Sequence, residues 1–341
     1  MKTDHSDTER MPHPAAATRM RAMVHHRYGP PSVLQASDVP RPEPRRGEVL
    51  VRLEAASVHS GDLYVMAGDP YLVRLAFGLR RPRNGIPARD LAGVVAAVGA
   101  DVTDLKPGGD VFGWSTAGTL AEYACVPVGN LVRRPTTVSA VEAAVTPMSG
   151  LTALQAMRDV ARVRPGDRVL ITGASGGVGS FAVQIAKAMG AEVTAVCSGR
   201  NIELVRSIGA DHVIDYTTTD FTANGERYDV ILDSVEAEPL ASVRRALTPT
   251  GTVIPNSGRG GRWVGPLGRI ITARMRSIFT RQRLAPFVSV EKHEDLVALS
   301  DLLASGQVTP LIDRTYPLAE AADALRYVAT GHARGKVAIT I

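Results

Sequence analysis

From Met20 to about Pro147 the apolar residues come in short runs broken by Gly and Pro, among them GEVLVRLEAASV, DLAGVVAAVGADV, GGDVFGW and LAEYACVP. Runs of this length, rich in β-branched residues and punctuated by turn formers, predict strands folded into a barrel or sandwich. From Leu151 the period changes. LTALQAMRDVARV has helical spacing, after which RVLIT, EVTAV, HVIDY, DVILDS and GTVIPN arrive as short apolar strands separated by helical stretches such as FAVQIAKAMG and IELVRSIG. Strands alternating with helices predict a parallel sheet covered on both faces, the doubly wound arrangement of nucleotide-binding domains. After about Pro286 the rhythm breaks again: HEDLVALSDLLASGQV and AEAADALRYVATG have helical spacing, while LIDRTYPL and KVAITI read as strands. These last elements do not continue the preceding pattern and are free to return to the first domain.

Composition narrows the picture. The chain has 341 residues, of which 45% are hydrophobic, enough for two domain cores. Its two cysteines, Cys125 and Cys197, exclude both a disulfide framework and a four-cysteine zinc lobe, and suit a reduced, cytoplasmic compartment. The first twenty residues hold no apolar core of the signal-peptide kind and read as a mobile tail. Nowhere do eighteen apolar residues run together, so stable membrane insertion is not expected. The formal charge of +5 is modest, but between Leu240 and Val290 there is no acid and nine arginines. That stretch is either a solvated face or a field favouring an anionic ligand, partner or membrane surface. Nucleic acid is not among the expected partners.

The strongest local signal is RVLITGASGGVGSFAVQIAKAMGAEV: a strand, then Gly173, Gly176, Gly177 and Gly179, then a helix and a second strand. A dinucleotide pyrophosphate needs a tight turn, backbone approach without an intervening Cβ, and helix N-terminal amides facing its charge. Ser175, Gly176, Gly177 and Val178 are the candidates for that cradle. An acid at the end of the second strand would favour NAD by binding a free 2′-hydroxyl; here AVCSGRN puts Ser198 and Arg200 there instead, groups suited to a 2′-phosphate. NADPH is therefore the expected cofactor.

These residues, together with AASVHSGDL, DLAGVVAAVGADVTDLKPGGDVFG, PMSGLTAL, SIGADHVIDY and HARGKVAI, resemble the zinc-independent quinone-oxidoreductase branch of the medium-chain dehydrogenase/reductase superfamily, over residues 22 to 340. The resemblance implies an α/β protein: a GroES-like β-barrel catalytic domain from residues 21–147 and 287–341, a Rossmann NADP-binding domain from 148–286, and a tail over 1–20. A homodimer is expected with it. The positions that hold catalytic zinc in alcohol-dehydrogenase relatives read His59, Arg89 and Met148, and arginine is no zinc ligand, so no metal is expected. By the same resemblance Thr152 lines the nicotinamide pocket, Tyr216 lies near the 2′-phosphate with Ser198, and Lys336 contacts the cofactor. The family's phosphate-binding lysine falls on Asn201, with Arg200 as the proposed substitute.

The chief departure is His59, where most relatives carry Asn. Its imidazole can donate a hydrogen bond or a proton to a substrate carbonyl, or simply line the pocket. Tyr64 is a second catalytic candidate on the same segment, and Asp62 is expected to anchor a turn or the barrel. Without a Lewis-acid metal an isolated carbonyl is poorly polarised, whereas an enone or quinone accepts hydride at carbon and spreads charge onto oxygen. Reduction of a small apolar quinone or conjugated carbonyl by NADPH is the expected activity. The alternatives are a pathway-specific biosynthetic enoyl or ketone reductase and a non-catalytic NADPH-binding protein. Finally, Leu267, Ile270, Ile271, Met275, Ile278 and Phe279 recur at near-helical spacing, opposite Arg269, Arg276 and Arg283, and predict a helix, which the family resemblance implies lies near the cleft mouth; dimer packing, a solvated face or a membrane-surface role are the alternatives.

Overall fold

The computed structural model describes residues 18–71, 73–256 and 281–341. The apolar residues of the helix expected over 259–283 lie outside these, as do residues 1–17. The first strand, β1 (Arg19–Val24), begins before the expected end of the tail, with Met20 buried in it. It pairs antiparallel with β2 (Gln35–Pro40) as a separate two-stranded sheet.

The seven-stranded sheet centres on β3 (Glu48–Val58) and β4 (Asp90–Val98), with β5 (Asp110–Trp114), β6 (Tyr123–Pro127) and β7 (Leu131–Arg133) around them. Register shifts between Leu50 and Val51 and between Leu53 and Ala55 break the β3–β4 ladder. The other edge of β3 is shared: Glu48–Arg52 pair with β6, and Ala55–Val58 with a strand from the far end of the chain. Between β3 and β4 the chain forms α1 (Ser60–Ala67) and α2 (Val73–Phe77).

Two helices lead out of this sheet, α3 (Ala140–Ala144), capped reciprocally by Ser139 and Glu142, and α4 (Pro147–Gln155), which runs on into a π-turn over Ala156–Ala161. The second sheet follows with β8 (Arg168–Thr172), α5 (Gly177–Ala188), β9 (Glu192–Cys197), α6 (Ile202–Ser207), β10 (His212–Asp215), β11 (Tyr228–Asp233), α7 (Leu240–Arg245), β12 (Leu247–Pro255) and β13 (Arg283–Leu284). All its pairings are parallel, and its order is β10-β9-β8-β11-β12-β13. Strand order therefore reverses between β8 and β11, the crevice where open α/β sheets bind ligands. Val169 and Ile171 bury one face of β8 with Phe181 and Ile185 of α5, and Leu170 the other with Ile231 and Val253.

The chain then forms α8 (His293–Ala304), β14 (Ile312–Pro317), α9 (Ala321–Ala329) and β15 (Lys336–Thr340). β15 lies between β14 and β3, antiparallel to β3, so the C-terminal strands complete the first sheet. Among the described residues no helix is long and apolar enough to cross a membrane.

Candidate active site and cofactor cleft

The turn after β8 is shaped by its glycines. Gly173 has φ +63°, in the left-handed region. A Cβ on Gly179 would stand 2.2 Å from the Gly173 carbonyl oxygen and 2.8 Å from Ala174 Cα, so only glycine lets α5 start this close to the end of β8. No side chain caps α5, which leaves the first amides of the helix, Gly177 and Val178 among them, for an anion. A Cβ on Gly177 would lie 3.3 Å from Lys336 Cδ and 3.4 Å from Ser149 Oγ. The neighbouring loop is fixed by Thr172, whose hydroxyl donates to Asp233 Oδ1 at 2.8 Å and accepts from the Ser234 amide at 2.9 Å. Ser175 joins three parts of the chain: its carbonyl accepts from the Gly335 amide at 2.7 Å, and its Oγ from Asn201 Nδ2 at 2.9 Å.

At the end of β9, Asn201 Nδ2 also reaches Ser198 Oγ at 3.3 Å, while its buried Oδ1 has no partner. Arg200 is exposed and Tyr216 is 62% exposed, held beside the strand end by its amide on the Cys197 carbonyl at 3.1 Å. β9 carries no acid at its end, as expected, but Asp215 at the end of β10 comes alongside: a Cβ on Gly199 would meet its Oδ2 at 2.6 Å. The Thr217 amide and hydroxyl, then the Gly199 amide, hold this carboxylate below its ordinary range. A 2′-phosphate at Ser198 and Arg200 would feel that charge.

The third group forms where β3, β4 and β15 meet. The pairing of Val58 with Val337 sets His59, just past the end of β3, beside the start of β15 at Lys336, and Ser57 lies opposite Asp90 on β4. Lys336 is almost wholly buried; its Nζ donates to Ser149 Oγ at 3.0 Å and stands 3.5 Å from Asp90 Oδ2. Asp90 Oδ1 accepts from the Met148 amide at 3.0 Å. Burial pushes the Asp90 carboxyl above its ordinary range, and Lys336 draws it back. Among the described residues three buried polar atoms in this region have no hydrogen-bond partner: Ser57 Oγ, Asp90 Oδ2 beyond its ion pair, and His59 Nε2.

His59 is the N-cap of α1. Its Nδ1 accepts from the Gly61 amide at 3.0 Å, while its own amide donates to Asp62 Oδ2 at 2.8 Å, a reciprocal capping box. Asp62 thus anchors the turn, as its place in the sequence suggested. An Nδ1 that accepts leaves the ring proton on Nε2. Burial first, then the charge of Lys336, lowers the His59 pKa to about 4, and burial raises that of Asp62 to about 6. Both groups are driven toward neutrality, so their 3.6 Å approach is no ion pair in the neutral range. His59 therefore presents a neutral ring whose enclosed N–H has no hydrogen-bond partner among the described residues.

Of the sequence candidates, the structure gathers Ser175, Gly176, Gly177 and Lys336 at one turn, and His59 beside Lys336. Thr152 turns its hydroxyl into its own helix, donating to the Met148 carbonyl at 2.8 Å. Tyr64 is 41% exposed on α1, and among the described residues its hydroxyl has no hydrogen bond. Arg89 pairs with Glu291 at 2.6 Å and Met148 serves Asp90 through its amide. Sequence reasoning gave Asp90 only a pairing role beside Arg89, and passed over Ser149 and Asp215. A signal for Asp90 was present: it and Lys336 each open a run of apolar residues, DLAGVV and KVAITI, where a charge needs a buried partner.

Residues 45–136 match the alcohol dehydrogenase GroES-like domain family and residues 208–339 the zinc-binding dehydrogenase family. Among the described residues no three His, Cys, Asp or Glu side chains are grouped to hold a metal. The chain is 36% identical to the chloroplast envelope quinone oxidoreductase homolog of Arabidopsis thaliana, over 95% of this chain and 99% of that protein. It is 32% identical to the trans-enoyl reductase pgmF of Aspergillus terreus, over 86% of each. Of solved structures, the quinone oxidoreductase from Coxiella burnetii superposes with a TM-score of 0.83 at 30% identity, covering 95% of this chain and 100% of the other. Mycobacterial Rv1454c complexed with NADPH superposes with a TM-score of 0.79 at 26% identity, covering 94% and 100%.

Proposed function

Because this chain belongs to the quinone-oxidoreductase-like branch of the medium-chain dehydrogenase/reductase superfamily, we propose that it uses NADPH, without a metal, to reduce a quinone or the conjugated double bond of an enone. The observation that carries this reading is the junction at β15. Gly335 is bonded to the glycine-rich turn while Lys336, next in the chain, stands beside Asp90 at the end of β3 that bears His59, so cofactor cradle and candidate substrate group form one structure.

The residues present fit the cofactor: Gly177 and Val178 offer uncapped amides to the pyrophosphate, Gly176, whose own amide donates to the Gly173 carbonyl at 2.9 Å, and Ser175 shape their turn, and the family resemblance assigns Thr152 and Lys336 to the nicotinamide side. Ser198, Arg200 and Tyr216 hold the 2′-phosphate, with the Arg200 guanidinium offsetting Asp215. When bound, NADPH supplies hydride to the substrate carbon. His59 Nε2–H donates a hydrogen bond to the carbonyl oxygen, where charge develops; with its pKa lowered to about 4 the ring is already neutral in the neutral range and carries no imidazolium proton to transfer. The proton that completes the product then comes from solvent. The division into residues 21–147 with 287–341 and 148–286 is supported by the two sheets, each closed by the strands it would contain. The trans-enoyl reductase relative favours a second reading, an enoyl reductase with one dedicated substrate, built on the same cleft.

Turnover of NADPH and NADH with a panel of quinones and enones tests the proposal, with Arg200→Ala beside the wild type. NADPH is preferred, and Arg200→Ala weakens its binding about tenfold to a hundredfold, the loss of one charge-assisted contact, while NADH binding barely changes. Equal affinity for both cofactors in the wild type refutes the cofactor assignment. Binding without turnover of any quinone or enone refutes the reductase.

A further inference from the structure

Half of the large apolar side chains that stand exposed among the described residues fall within one short stretch: Tyr64, Tyr71, Leu75, Phe77 and Leu79, with Leu75 61% and Leu79 68% exposed. The others, from Tyr216 to Val297, are spread along the chain and call for no explanation. The chain that overlaps it and runs on to β4 is strongly basic. From Tyr71 to Arg89 there are five arginines and no acid. Arg80, Arg81 and Arg83 are exposed and make no ion pair among the described residues.

The segment is a built feature. Arg74 donates Nε to the Gly68 carbonyl at 3.0 Å, and its guanidinium lies 4.7 Å from the Tyr28 ring and 4.8 Å from the Tyr71 ring. The Tyr28 hydroxyl donates to the Gly78 carbonyl at 2.5 Å, and the Arg83 amide to the Phe77 carbonyl at 2.7 Å, closing the turn after α2. No residue of α2 is buried. Local bonds thus hold out a ridge with Leu75, Phe77 and Leu79 flanked by arginines, on the connection between His59 and Asp90.

We propose that this ridge, residues 73–83, docks the protein on the surface of an anionic lipid bilayer. A bilayer offers in one plane what the ridge presents: apolar depth for Leu75, Phe77 and Leu79, and negative headgroups for Arg80, Arg81 and Arg83. An acidic soluble partner would match the arginines but leave the leucines in water. The choice of occupant rests in part on the quinone or enone reading, because docking there brings the cleft to the phase in which an apolar substrate dissolves.

Co-sedimentation of the full chain with vesicles tests this. The protein binds vesicles of phosphatidylcholine mixed with phosphatidylglycerol and leaves those of phosphatidylcholine alone. Each arginine at such a surface contributes about fivefold in partitioning, so Arg80→Glu with Arg81→Glu weakens binding by about 25-fold or more. Leu75→Glu with Leu79→Glu abolishes it. Thermal melting and turnover of a water-soluble short-chain quinone stay at wild-type levels in both variants. Absence of vesicle binding by the wild type, or equal binding by the variants, overturns the proposal. So does a change of molecular mass in solution caused by the leucine substitutions without loss of vesicle binding, which would assign the ridge to a second copy of the chain. Vesicle binding without quinone turnover upholds docking and sinks the reductase reading alone.

Discussion

At the scale of single residues, His59 illustrates how burial divides one side chain into two functions. Its Nδ1 is occupied by the helix it caps, and its Nε2 is enclosed although the ring keeps 22% of its surface exposed. The folded-state pKa, about 4, is depressed below the ordinary 6.5. The unfolded chain therefore binds more protons between these values, and the stability contributed by His59 is complete above about pH 6.5 and lost as pH falls toward 4. Asp62 runs the other way: raised to about 6 from 3.8, it contributes stability that is lost as pH rises through 6. His59→Asn removes only the first effect. The stability of the wild type relative to His59→Asn, measured by urea unfolding, should then rise by about 1–2 kcal/mol from pH 4 to pH 6.5, a figure reduced for the partly exposed ring. A gap that stays constant would mean that the ring titrates as in water and is no enclosed donor.

At the scale of elements, the close start of α5 against β8 is what makes a phosphate cradle of an ordinary strand-to-helix turn. Gly179 is the position where this packing has no tolerance, because the obstructing atoms are backbone. Gly179→Ala must push the helix away, at about 1–3 kcal/mol of stability, and should abolish NADPH binding because the uncapped amides move with the helix. Gly129 serves as the control, since a Cβ there meets nothing within 4 Å and its backbone is not left-handed. Gly129→Ala should change unfolding free energy by no more than about 0.5 kcal/mol and leave the cofactor affinity intact. Wild-type affinity in Gly179→Ala would remove the turn from the cofactor site.

At the scale of the whole molecule, buried polar contacts tie the first sheet and the chain returning to it to α4, the helix that leads toward the second sheet. Lys336 of β15 binds Ser149 of α4 and lies against Asp90 of β4. Gln155 donates to both the Val290 carbonyl at 2.6 Å and Asp295 at 2.7 Å, tying α4 to the chain that returns to the first sheet. Removing one partner of a buried pair strands the other in a medium that solvates it poorly. Lys336→Met and Asp90→Asn should each cost about 3–5 kcal/mol, and the double variant less than their sum by about 1–3 kcal/mol. Additive losses in a urea double-mutant cycle would show that the two side chains do not interact.

What the sequence determined by itself was local. The strand alternation of the first domain, the helix-and-strand rhythm after Leu151 and the glycine-rich turn are all legible because periodicity and backbone freedom act over a few residues. The capping role of Asp62 was within reach for the same reason, three positions from His59. Tertiary structure decided whatever depends on partners distant along the chain. The register of β15 on β3 brings Lys336 to Asp90, 246 positions away, and nothing local in either segment names the other. Asp215 reaches Gly199 only because β10 pairs beside β9, so an acid that looked remote from the phosphate site stands next to it. Tyr64, adjacent to His59 on paper, projects from α1 at an angle that leaves it in solvent, since five helical positions are about 500° of rotation. A sequence specifies the chemistry of each side chain, but burial and opposing charge, which set whether His59 is a proton source or a fixed donor, exist only once the strands have met.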